Sequence, residues 1–229
     1  MKRMFFSSGL LVAACLLTDP AASACDPRQV AIRQDATIAF EGDSLTYGFD
    51  KTATGTREAI NNSQFTRSTS PFPETVGDLL AHRVTVLNRG YPGDRSTDGW
   101  QRWAKASPAA VAVLMYGTND YGNYGGYPTG PVRIDVFRTT LDRLVKRRKA
   151  QGASIILMTP PPIENPHDRE KLTPFVEAVG QVAQSNNVTM LDTGEILHGV
   201  KKIWTDGLHL TVEANTVIAR EIASRICVD

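Results

Sequence analysis

The sequence predicts an α/β protein built on a five-stranded parallel sheet with helices on both faces. Three observations carry this expectation. Five short apolar runs recur along the chain, at residues 37–40, 84–87, 111–115, 155–158 and 188–191. Runs that are apolar without alternation belong to strands buried on both faces. Amphipathic segments at 73–82, 132–149, 174–185 and 212–226 lie between and after them. Strands alternating with helices imply right-handed βαβ crossovers and hence a parallel sheet. Within the segment 132–149 the apolar stripe is read as Val136, Leu141, Leu144 and Val145.

The chain of 229 residues fits a single domain, with 41% hydrophobic and 21% charged residues supporting a sizeable core. A formal net charge of +1 gives no electrostatic drive toward nucleic acid or an anionic membrane surface. The one basic run, Lys146-Arg147-Arg148-Lys149, closes a predicted helix and complements the negative end of its dipole.

Before the first strand, Lys2 and Arg3 precede an apolar stretch over 4–17, and Ala22-Ser23-Ala24 follows. A charged segment, an apolar segment and a small-residue cleavage site together read as a signal peptide over 1–24, leaving one domain over 25–229. The apolar stretch is too short to span a membrane stably. Val12-Ala13-Ala14-Cys15 also resembles a bacterial lipobox, so anchoring through a lipid on Cys15 stays open. Of the three cysteines, cleavage after Ala24 retains Cys25 and Cys227, one at each end. In an exported protein these are expected to form a disulfide. Closing so long a loop is worth on the order of 4 kcal/mol in the chain-entropy model.

A parallel sheet gathers ligands at the carboxyl ends of its strands. The first strand runs into Gly42-Asp43-Ser44-Leu45-Thr46, which places a serine on a turn at that edge. It is not the G-x-S-x-G elbow, because Thr46 stands where the second glycine would be. Strand two leads into Asn88-Arg89-Gly90-Tyr91-Pro92-Gly93-Asp94, and strand three into Gly117-Thr118-Asn119-Asp120. Each brings a glycine N–H or a short amide, the donor types that stabilise a developing oxyanion. Before the last helix lies Asp206-Gly207-Leu208-His209. Three-residue spacing on a helical turn puts carboxylate and imidazole on one side, where the carboxylate fixes the tautomer that leaves Nε2 as a base. No H-E-x-x-H, Cys-x-x-Cys or phosphate-binding glycine loop is present, and no metal or cofactor is expected.

Each motif alone is ordinary turn chemistry. As an ordered set, Gly42-Asp43-Ser44-Leu45, the Gly93 loop, Gly117-Thr118-Asn119-Asp120 and Asp206-Gly207-Leu208-His209 resemble the four blocks of the SGNH, or GDSL-type, hydrolase family. The resemblance spans essentially the whole chain after residue 24. It implies a flavodoxin-like three-layer α/β/α sandwich and a serine carboxylic ester hydrolase. Ser44 would be the nucleophile, His209 the general base then acid, and Asp206 the residue that orients His209. The Ser44 N–H, the Gly93 N–H and the Asn119 side chain would form the oxyanion hole, with Gly90 as the alternative to Gly93.

Two long loops flank these motifs. One covers 49–71; the other, 121–128, carries Tyr121, Tyr124 and Tyr127 among glycines. Connections this long are commonly functional. The three tyrosines, with Trp100 and Trp103, offer a platform for sugar rings, or simply pack the loops. The expected substrate is a short-chain ester, above all acetyl, of a small molecule or polysaccharide. A lysophospholipase or thioesterase, a carbohydrate O-acetyltransferase and a catalytically silent carbohydrate-binding module are the alternatives.

Overall fold

The computed structural model describes residues 25–53, 57–60, 63–106 and 108–229. The expected signal peptide and Cys15 lie outside the described residues. The described residues open with β1 (Val30–Ile32), β2 (Thr37–Gly42) and the single-turn α1 (Ser44–Tyr47). Next come β3 (Arg57–Ile60), β4 (Ser63–Thr66), α2 (Phe72–Leu79), β5 (Thr85–Gly90) and α3 (Ser96–Arg102). The middle of the chain supplies β6 (Val111–Met115), α4 (Thr118–Gly122), α5 (Ile134–Ala150) and β7 (Ser154–Met158). It ends with α6 (Pro166–Asn186), β8 (Thr189–Leu191), α7 (Thr193–Ile196), α8 (Val212–Ser224) and β9 (Ile226–Val228).

The main sheet is parallel throughout, in the order β5-β2-β6-β7-β8. Its strands are the five read from the sequence, and alternation along them makes two cores. Ile38 and Phe40 of β2, with Val111, Val113 and Met115 of β6, face Phe72 and Val76 of α2 and Ile218 and Ile222 of α8. Ala112 and Leu114 of β6, with Ile155 and Leu157 of β7, face Leu141, Leu144 and Val145 of α5 and Val179 and Val182 of α6. Helices on both faces make the three-layer sandwich. Each fully buried aliphatic or aromatic side chain adds about 1.5–3 kcal/mol to it.

Several local expectations shift. Val136 is 41% exposed, and Phe137 takes its place in the buried stripe of α5. The helix expected at 174–185 starts instead at Pro166, because Asn165 caps it by accepting from the His167 and Asp168 N–H groups. Pro174 then sits inside the helix. Pro174 has no N–H to offer the Glu170 carbonyl, but Glu170 is exposed, so water can take its place. The last helix stops at Ser224, and β9 pairs in parallel with β1, Ala31 opposite Cys227. A disulfide joins Cys25 to Cys227, Cα atoms 5.6 Å apart, across a sequence separation of 202. Within the loop 49–71, β3 and β4 form an antiparallel hairpin whose polar sequence gives no strand pattern. Among the described residues no helix is long and apolar enough to cross a membrane.

Candidate active site

Four short helices start just beyond strand ends: α1 after β2, α3 after β5, α4 after β6 and α7 after β8. The first three of them carry or border the site. Gly42 ends β2 in a place with no room for a side chain: a Cβ there would come within 2.2 Å of Thr46 Oγ1 and 2.6 Å of the Met115 carbonyl. Asp43 then caps α1, its Oδ1 accepting from the Leu45 N–H at 2.9 Å. Ser44 is thereby the first residue of α1, at the carboxyl edge of the central strands.

Asp206 and His209 do not lie on a helical turn, as the spacing suggested. They belong to a loop closed by the Trp204–Leu210 bridge and by the Thr205 N–H donating to the His209 carbonyl at 2.8 Å. The Asp206 carboxylate folds this loop by accepting from the Leu208 N–H at 3.2 Å and the His209 N–H at 2.8 Å. Its other oxygen lies 3.0 Å from His209 Nδ1. His209 Nε2 lies 3.0 Å from Ser44 Oγ. With Nδ1–H donating to Asp206, Nε2 is left to accept the Ser44 hydroxyl proton.

The electrostatics suit that tautomer. Burial holds the His209 imidazole below the ordinary histidine range, outweighing the pull of Asp206 toward the charged form. Burial pushes the Asp206 carboxyl up, but hydrogen bonds from the His209 amide and ring more than offset it, and the net direction is downward. Lys51 Nζ, 3.6 Å from Asp206 Oδ2, adds a positive charge beside the pair. At neutral pH the site therefore holds a neutral imidazole against an ionised carboxylate.

Ser44, Gly93, Asn119 and His209 line one pocket of about 440 Å³. Gly93 has a φ of 86°, a conformation suited to glycine. Asn119 is the second residue of α4, and its Nδ2 donates to the Asp94 carbonyl at 3.1 Å. One amide hydrogen is used there and the second remains for the pocket. Gly90 is committed elsewhere. Its N–H donates to Asn88 Oδ1 at 2.9 Å, and a Cβ on it would fall 2.0 Å from the Tyr47 nitrogen, so it is the spacer that lets α1 lie on β5.

Buried aspartates adjoin all three prospective donors in sequence: Asp43, Asp94 and Asp120. Burial raises Asp43 to about 7, with the Leu45 N–H opposing it and the charges of Asp120 and Asp94 reinforcing it. Burial also raises Asp120 to about 6 against the hydrogen bonds from Ser96, whose N–H and hydroxyl both donate to it. Asp94 is raised by burial, opposed by a two-pronged pair with Arg102 at 2.7 and 2.8 Å.

Two of the loop tyrosines, Tyr124 and Tyr127, line the pocket. Tyr121 does not: its hydroxyl donates to Asp168 at 2.6 Å and its ring packs edge-on against Phe175 in the second core. Trp100 is also placed elsewhere, under Arg143 and Arg147 with the guanidinium carbons 4.2 and 4.0 Å from the ring centre. Trp103 lies beneath Arg89, away from the pocket. The walls are completed by Tyr91, Phe49, Phe65 and Leu208, none of which the sequence singled out. Tyr91 and Leu208 stood inside motifs already noted, whereas Phe49 and Phe65 come from the long loop with no local signal. Arg102 stacks on Tyr91 at 3.4 Å and Arg95 on Tyr127 at 3.7 Å, fixing both rings from behind. Among the described residues the lining contains no Asp, Glu, Lys or Arg.

Residues 40–217 match the model of the GDSL-like lipase/acylhydrolase family. The chain belongs to that family. As a GDSL-like esterase it is 26% identical over 190 residues to the isoamyl acetate-hydrolyzing esterase 1 homolog of Bos taurus, covering 68% of this chain and 74% of that protein. Two solved structures share the fold of this GDSL-like protein. A catalytic mutant of Axe2, an acetylxylan esterase from Geobacillus stearothermophilus, superposes with a TM-score of 0.67 at 23% identity, covering 86% of this chain and 97% of that one. A lipase/acylhydrolase from Enterococcus faecalis gives 0.63 at 23%, covering 84% and 97%. The five-stranded parallel sheet is the one these hydrolases have in common, and the chain is a hydrolase of ester bonds.

Proposed function

We propose that this protein is an exported esterase that removes short acyl groups, above all acetyl, from carbohydrate alcohols by way of an acyl-enzyme on Ser44. The observation that carries the reading is the unbroken chain from Ser44 Oγ through His209 to Asp206, both links 3.0 Å, opening into a pocket rich in aromatic side chains. His209 takes the Ser44 proton as Oγ bonds to the ester carbon, and Asp206 stabilises the imidazolium that forms. The Ser44 and Gly93 N–H groups and the second Asn119 amide hydrogen hold the oxyanion. His209 then hands its proton to the departing alcohol, and water repeats the sequence on the acyl-enzyme.

Three features favour a neutral, short ester. Among the described residues the lining offers no acidic side chain, lysine or arginine to pair with an ionic substrate. Its volume suits a small ligand. Tyr91, Tyr124 and Tyr127 supply flat faces of the kind sugar rings stack on, and one of the structural neighbours is an acetylxylan esterase. Export is supported by the leader pattern and by the Cys25–Cys227 bond, which an oxidising compartment would preserve. The test is hydrolysis of acetylated xylooligosaccharides and of acetyl against octanoyl nitrophenyl esters by the wild type and Ser44→Ala. Loss of several orders of magnitude in the variant is expected, with acetyl preferred. Faster octanoyl cleavage would shift the assignment to a lipolytic enzyme.

A further inference from the structure

The reaction chemistry divides the pocket. In acylation the bond from the ester carbon to the alcohol oxygen breaks, and the proton held on His209 Nε2 passes to that oxygen. The departing alcohol must therefore lie within hydrogen-bond reach of Nε2. The carbonyl oxygen points the other way, toward Ser44, Gly93 and Asn119.

Three of the pocket-lining side chains are linked to His209 by packing or by the chain. Phe49 meets the imidazole edge-on with centroids 4.5 Å apart, and Phe65 meets Phe49 edge-on at 5.7 Å. Leu208 is the chain neighbour of His209 and also faces the pocket. Phe65 arrives on β4, and the Phe49–Arg67 bridge pins the strand end that carries it.

We propose that Phe65 and Leu208 form the alcohol subsite, and that an alcohol seated there takes the acyl group in competition with water. This rests on the acyl-enzyme reading above. In the transfer step the acceptor O–H proton passes to His209 Nε2 while its oxygen bonds to the acyl carbon. The bond from that carbon to Ser44 Oγ breaks, and Oγ regains the proton from His209. The product is a new ester, and no further reactant is needed. An apolar wall favours an acceptor with a hydrophobic face, such as a sugar ring or an aromatic alcohol, over water.

The test compares ethyl acetate with benzyl acetate, and adds benzyl alcohol as acceptor, for the wild type, Phe65→Ala and Phe65→Leu. Relative to ethyl acetate, kcat/KM for benzyl acetate is expected to fall about tenfold in Phe65→Ala. The ratio of benzyl transfer to hydrolysis falls with it. Deacylation by water, measured after the alcohol has left, reads any loosening of His209 through Phe49, and the benzyl-to-ethyl ratio, in which such a loss cancels, isolates the subsite. The leucine variant, which keeps apolar bulk, retains part of both effects and replaces Phe65→Ala should that variant melt early. An unchanged benzyl-to-ethyl ratio overturns the proposal. So does a change confined to acetyl against butyryl preference, since that would make the wall an acyl subsite. Turnover that survives Ser44→Ala overturns the esterase reading itself.

Discussion

Phe49 packs edge-on against the His209 imidazole, centroids 4.5 Å apart and planes at 71°. The contact joins the long loop after α1 to the loop that precedes α8. It shields the ring from water and limits its rotation. Phe49→Ala is expected to lower kcat about tenfold with a smaller change in KM, because the base is less well held as the proton moves. The same variant hydrates the imidazole, so its acid limb moves up toward the ordinary histidine range. A kcat–pH profile reads both effects.

The wild-type pH profile follows from the direction of the His209 shift. In the proposed mechanism only a neutral imidazole accepts the Ser44 proton. Burial lowers the His209 pKa, so it stays neutral to more acid pH than an ordinary histidine. Activity should remain full at pH 7 and fall on the acid side at a pH below 6.5, the ordinary histidine value. Initial rates across that range check the sign.

Lys51 contributes to that shift, with Asp50 pulling the opposite way. Lys51→Met is expected to raise the His209 pKa and move the acid limb to higher pH. Because the Lys51 side chain is 60% exposed, the displacement should shrink as salt is added. Profiles at low and high ionic strength separate this from a structural loss.

The raised acids beneath the site invert the usual stability trend. Asp43 and Asp120 hold their protons in the folded state to about 7 and about 6, against 3.8 for an ordinary aspartate. Between the unfolded and folded values the native state binds more protons than the unfolded chain. Their contribution to stability therefore falls as pH rises from about 4 to about 7. Asparagine caps a helix as well as aspartate does. Asp43→Asn should thus gain melting temperature relative to the wild type at pH 8 compared with pH 5, measured by thermal melts at both.

Reducing the Cys25–Cys227 bond, or Cys227→Ala, should destabilise the fold by up to about 5 kcal/mol through the freed unfolded chain. Denaturant titrations with and without reductant check this.

The positions of the strands along the chain and the motifs at their ends were legible in the sequence because both are local. A strand buried on two faces needs a continuous apolar run, and the motifs follow such runs directly. Pro174 shows where local reading misleads: a proline that looks like a helix start lies inside one, because Asn165 provides the stronger cap. Val136 and Phe137 show the same limit, since a one-residue phase error in a helical stripe exchanges buried for exposed.

By itself the sequence determined the sheet, the serine at its edge and the Asp206–His209 pair. Each depends on a pattern carried by neighbouring residues. Only the tertiary structure decided which aromatics face the substrate and which glycine remains open to it. Trp100 and Tyr121 went to an arginine sandwich and to the second core, while Phe49 and Phe65 came to His209 from a polar loop. Gly90 became a spacer because α1 lies on it, leaving Gly93 at the pocket. Those outcomes turn on contacts between segments far apart in the chain, and no local pattern records them.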